Sequence, residues 1–246
     1  MKILRRVTEA EVIAEFLKNE FYQGEFHEDR ALYEDLVLNA DVTNEHDNAL
    51  RRALLFRRRG HMWRELPSDT QWWHVELEQQ DLPKLRVFPR AQWRKVADGS
   101  FLLTDIVERI RTTRFGGRTR EFISKVHALS YRLRHSADDS CVLLIGIDEQ
   151  KPVTILEGNH RLTALMLASP MLLQDRFRML AGFSPRMNES CWYETNVPNL
   201  WRYAKNRLRN LVYDKDADVR RIPAQAATAQ QQHSAVGSSN AIRGAK

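Results

Sequence analysis

Positions 152–168 read Pro-Val-Thr-Ile-Leu-Glu-Gly-Asn-His-Arg-Leu-Thr-Ala-Leu-Met-Leu-Ala, and the chain is organised around this run. Val153, Thr154, Ile155 and Leu156 have the β-branched, apolar profile of a buried strand. Gly158 breaks that strand and, lacking Cβ, tolerates the positive φ of a sharp turn. From Leu162 to Ala168 the residues are strong helix formers without Gly or Pro. The run therefore reads as strand, tight turn, helix. It places Glu157, Gly158, Asn159, His160 and Arg161 where a strand ends and a helix begins. Backbone N–H groups and the helix dipole attract anions at such a point, phosphate most of all. Arg161 adds a bidentate fork for an anion. His160 can donate a hydrogen bond or move a proton near neutral pH.

Three regions follow from the patterning around this run. Residues 1–66 form an N-terminal helical region. Its first helix, over 8–23, opens on Thr8 and Glu11 in the spacing of a capping box. A second, over 27–39, turns Leu32, Tyr33, Leu36 and Val37 inward, and a third, over 44–59, ends at Gly60. Residues 67–214 form the α/β core with a C-terminal helix. Here 72–77 reads as the first strand, 85–88 as a short helix or second strand, and 91–96 and 102–110 as helices. The loop 111–120, with Gly116-Gly117 among arginines, is able to close over a phosphate or to be merely an exposed basic loop. A helix over 121–133 precedes the strand 141–147, which makes a β-hairpin with the strand before Gly158. Residues 181–188 read as a turn-rich loop, 191–193 as a short strand, and Pro198 starts the last helix. Residues 215–246 form a tail too poor in large apolar groups to offset the entropy of ordering.

The formal charge of +6 and pI near 9.5 favour anionic partners, either nucleotides, phosphorylated metabolites or nucleic acid. The arginines at 51, 52, 57, 58 and 59 read either as a phosphate-binding edge or, the preferred reading, as a solvated helix paired with neighbouring acids. Cys141 and Cys191 are too few for a disulfide framework. With no apolar leader and no apolar run near 18 residues, the expected place is the cytoplasm, without a membrane partner. The oligomeric state is left open.

The motif Glu157-Gly158-Asn159-His160-Arg161, followed by Leu162 and Ala164, resembles the signature of the ParB/sulfiredoxin superfamily. The resemblance covers roughly residues 72–170. It implies an α+β fold: a ParB/sulfiredoxin-like core of a small mixed sheet with flanking helices, here with an N-terminal helical extension and a C-terminal helix. It implies that Gly158, Asn159, His160, Arg161 and Thr163 cradle the phosphates of a nucleoside di- or triphosphate. Asn159 stands where sulfiredoxin-like members carry their nucleophilic Cys, which removes that activity. His160 replaces an Arg of the partition proteins, and no helix-turn-helix follows residue 170, which argues against chromosome partition. Members that phosphorylate small molecules remain. On that reading Glu157, His160 and Glu76 are the catalytic candidates. Glu157 also serves as a Mg²⁺ ligand, and Glu76 as the base for the accepting hydroxyl. Glu157 also admits a plainer role, orienting Arg161 or capping the helix. The expected function is nucleotide (phosphate) binding, with a small-molecule kinase or nucleotide hydrolase as the activity if there is one. The alternatives are a nucleic-acid-binding or nuclease-like protein, and a non-catalytic module sensing a phosphorylated ligand.

Overall fold

The structure is a computed structural model that describes residues 1–89, 91–136, 140–172, 177–212 and 215–218. Its hairpin of β4 (Cys141–Gly146) and β5 (Val153–Glu157) belongs to a mixed six-stranded sheet. The other strands are β1 (Lys2–Val7), β2 (Gln71–Glu76), β3 (Leu85–Arg86) and β6 (Arg178–Phe183), and the order is β1-β2-β6-β4-β5-β3. β4 runs antiparallel to β5 and parallel to β6, β3 runs parallel to β5, and β2 is antiparallel to β1 and β6. Every residue of β4 is buried, because helices cover both faces of the sheet. Val142, Leu144, Ile155 and Met179 face α4 (Ala91–Ala97), α5 (Leu103–Thr112), α6 (Gly117–His135) and α7 (Asn159–Ala168). Leu143, Ile145, Leu156 and Leu180 face α1 (Glu9–Glu20) and α3 (Glu45–Trp63). Each such side chain contributes about 1.5–3 kcal/mol by leaving water. The chain is thus α+β, in helix–sheet–helix layers.

Several expectations shift. Residues 1–66 are not purely helical: β1 supplies the sheet's edge, pairing Lys2 with Glu76 and Val7 with Trp72. α1 carries the expected capping box of Thr8 and Glu11. In α2 (Arg30–Leu38), Val37 is buried but Leu32 is exposed, because only one side of this short helix meets α3. α3 continues through Gly60 to Trp63, its last turn held by packing of Met62 and Trp63. Its arginines are largely engaged within the fold: Arg52 with Glu9, Arg58 with Asp29, Arg59 with Glu20 and Glu25. Buried Arg51 donates to the carbonyls of Leu36 and Asp41.

The basic loop is also shorter than expected, since α6 already begins at Gly117. Residues 181–183 belong to β6, not to a turn. Gly182 is there for closeness rather than flexibility, as a Cβ on it would lie 2.7 Å from Trp72 Cζ3. Residues 191–193 form a turn rather than a strand. The last helix, α8 (Val197–Leu211), docks through polar residues: Asn199 donates to the carbonyls of Asn188 and Glu194, and Asn206 to Glu65 Oε1. Of the expected tail, 215–217 make a 3₁₀ turn, and 219–246 lie outside the described residues.

Candidate functional site

The strand–turn–helix forms as its residues dictate. β5 ends at Glu157, Gly158 alone makes the turn at φ 95°, and α7 starts at Asn159. A Cβ at Gly158 would come within 2.9 Å of Val142 Cγ2, so conformation and space both require glycine. No side chain caps α7 at Gly158. The positive end of the helix dipole is therefore directed at whatever lies beyond the turn.

The motif's side chains divide into two groups. Asn159 is buried and bridges two strands' ends: its Oδ1 accepts from the Phe88 N–H at 2.9 Å and its Nδ2 donates to the Ile155 carbonyl at 3.1 Å. Thr163 is wholly buried, its hydroxyl donating to the Asn159 carbonyl. Arg161 is turned toward α1 and the start of β4. Its guanidinium donates to Asn19 Oδ1, to the Cys141 carbonyl and to Glu157 Oε1, each at 3.1–3.2 Å. Arg161 and Thr163 build the turn rather than facing a ligand, and Asn159 does the same from the edge of the cleft. Arg161 in particular is spent on orienting Glu157, the plainer of the two roles read from the sequence.

Glu157 and His160 do face open space. With Asn159 they line a cleft of about 1050 Å³. The exposed His160 ring packs against Trp93 and Phe122, at centroid distances of 5.3 and 5.1 Å. A second aromatic group runs from Phe88 to Trp192 at 4.6 Å and on to Tyr203 at 4.9 Å. α1 and α3 contribute the ion pair of Glu20 with Arg59, and α8 contributes Tyr203 and Arg207. The cleft thus combines cations, the carboxylates of Glu20, Glu25 and Glu157, and aromatic rings around the start of α7. Cys191 also lines it, but burial beside Glu65 pushes this thiol well above its ordinary pKa, so it is no ready nucleophile.

Glu76 is elsewhere. It sits on β2, three strand spacings from β5, or about 14 Å across the sheet. It pairs with Lys2 Nζ at 3.4 Å on the edge strand and does not line the cleft. Strand position alone could not separate the two ends of a sheet whose order was unknown. Conversely, the sequence places Trp93 in a helix and Trp192 in a strand and marks neither of them, nor Tyr203, as part of a site; Arg59, one of the arginines read as a possible phosphate-binding edge, does line the cleft. No local signal pointed to these rings, since no Phe, Trp or Tyr lies between Tyr131 and Phe177 on either side of the motif.

Among the described residues no three His, Cys, Asp or Glu side chains gather into a metal-holding group. Mg²⁺ does not need one, since it is often held by one or two carboxylates together with substrate phosphates. Glu157 is the carboxylate this turn offers. No described helix is long and apolar enough to cross a membrane. No protein-family model, curated protein or solved structure was found to match the chain.

Proposed function

We propose that the cleft binds a nucleotide, with its phosphates at the start of α7 and its ring system against the aromatic walls. One observation carries this reading: Glu157 and His160, on either side of a glycine turn, open together into a cleft large enough for such a ligand. Ligand pockets commonly span about 300–1,000 Å³. The first amides of α7 and the His160 ring supply donors for phosphate oxygens. Arg94 and Arg207 add positive charge at the rim, whereas Arg59 is balanced there by Glu20 and Glu25. Half-buried Trp192 and Tyr203 offer faces on which a base can stack.

The ParB/sulfiredoxin-like reading of the core belongs to the same proposal, supported by the motif and by its position between strand and helix. Phosphoryl transfer to a small molecule or to water would use Glu157, held in place by Arg161, toward a Mg²⁺ ion bound with the phosphates. Mg²⁺ would there neutralise phosphate charge. Glu76 has no part in it. Calorimetric titration with ATP, ADP, GTP and CTP, each with Mg²⁺, tests the proposal. Wild type binds at least one, His160→Ala weakens it, and absence of binding to all four removes the reading. Binding without turnover would assign the cleft to sensing rather than catalysis.

A further inference from the structure

The chain's positive charge is not spread over its surface. Residues 109–135 carry eight Arg or Lys and one acid, Glu121, a net of +7 against +6 for the whole chain. The remainder is close to neutral. Most of this segment is α6, whose inner face, with Phe122, Val126 and Leu133, is buried against the sheet's helical layer.

The outer face is ordered by period. Arg118, Lys125 and Arg132 recur every seven residues, and so do Arg120, His127 and Arg134. At 100° per residue each set forms a row along the helix axis, and the rows lie about 160° apart, one on each flank. Between them runs a ridge of Glu121, Ser124, Ala128, Tyr131 and His135. All these flank and ridge side chains are exposed. The five Arg and Lys of the rows have no ion pair among the described residues, unlike the arginines of α3. Successive cations of the first row stand about 10.5 Å apart, Arg120 and Arg134 of the second about 21 Å, and the helix is about 28 Å long.

We infer that α6 is a docking helix for double-stranded DNA, lying in the major groove with one row of cations toward each phosphate backbone. A helix of about 10–12 Å diameter fits a groove about 12 Å wide. A single strand has one backbone and calls for stacking platforms, of which the ridge has only Tyr131. Duplex RNA has a major groove too narrow to enter. An anionic membrane calls for an apolar ridge between the cations, and here the ridge is polar. The N-terminal end of α6 lies beside the cleft, since Phe122 touches the His160 ring. The inference nevertheless stands on α6 alone and does not rest on the cleft binding a nucleotide.

Fluorescence anisotropy with a labelled duplex of about 20 base pairs, from about 50 mM salt upward, tests it on the full chain. The rows are neutralised separately, as Arg118→Gln/Lys125→Gln/Arg132→Gln and as Arg120→Gln/Arg134→Gln. Arg202→Gln/Lys205→Gln on α8 serves as the control, and circular dichroism checks that each variant is folded. Wild type binds, and binding falls with salt. Each row variant binds about tenfold or more weakly, with a salt slope shallower by about one for each cation removed, while the control matches wild type. Absence of duplex binding at low salt overturns the inference. So does an equal loss in the control, tighter binding to the single strand, or row-dependent binding to anionic phospholipid vesicles in place of the duplex.

Discussion

Gly158 is the residue on which the site's geometry turns. Its φ of 95° lies in the left-handed region, and Val142 fills the space a side chain would need. Gly158→Ala should therefore cost about 1–3 kcal/mol of folding stability, read as a lower denaturant midpoint. A change within about 0.5 kcal/mol, the range of ordinary surface substitutions, would mean the turn relaxes freely. The motif's glycine, strand and helix were all legible in the sequence, because local propensity and tertiary packing agree there. The direction of each side chain was not legible. Glu157, His160 and Arg161 are equally polar on the page. Only the arrival of Asn19 from α1 and the Cys141 carbonyl from β4 decides that Arg161 turns inward while His160 stays exposed.

Elements show the same division between local and distant causes. The β4–β5 hairpin and α5 declare themselves by apolar periodicity. β1 does not, because Lys2, Arg5 and Arg6 mask a strand that needs only one neighbour at the sheet's edge. β6 was hidden by Gly182, whose role is clearance for Trp72. The docking of α8 was hidden more deeply still, since its contacts are polar. There Glu65, 1% exposed, accepts from Asn206 and adjoins the Cys191 thiol. Burial raises the Glu65 pKa above its ordinary 4.5. The folded protein then binds this proton more tightly than the unfolded chain does. The stability it contributes is present below about pH 4.5 and is lost as pH rises through the folded value. Glu65→Gln, which cannot ionise, should gain on wild type as pH rises from about 4 to 8 in parallel thermal melts. A difference independent of pH would show that Glu65 ionises in the folded state as easily as in the unfolded chain.

At the scale of the whole molecule, the N-terminal 66 residues share a core with the sheet. α1 and α3 cover the face of Leu143, Ile145 and Leu180, each at most 1% exposed, and β1 completes the hydrogen bonding of β2. A chain starting at residue 67 should lose its cooperative thermal transition and bind a hydrophobic dye. A sharp transition in that fragment would show the helices to be an appendage. The same packing brings Glu20 and Arg59 to the rim of the cleft, so fold and site depend on the same helices. The proposed nucleotide site requires that the β5–α7 turn bind an anion. A crystal structure with ADP and Mg²⁺ tests it most directly. Phosphate oxygens within hydrogen-bonding distance of His160 and of the first amides of α7 are the predicted result. A nucleotide seated away from that turn, or a cleft that stays empty at saturating nucleotide, would contradict it.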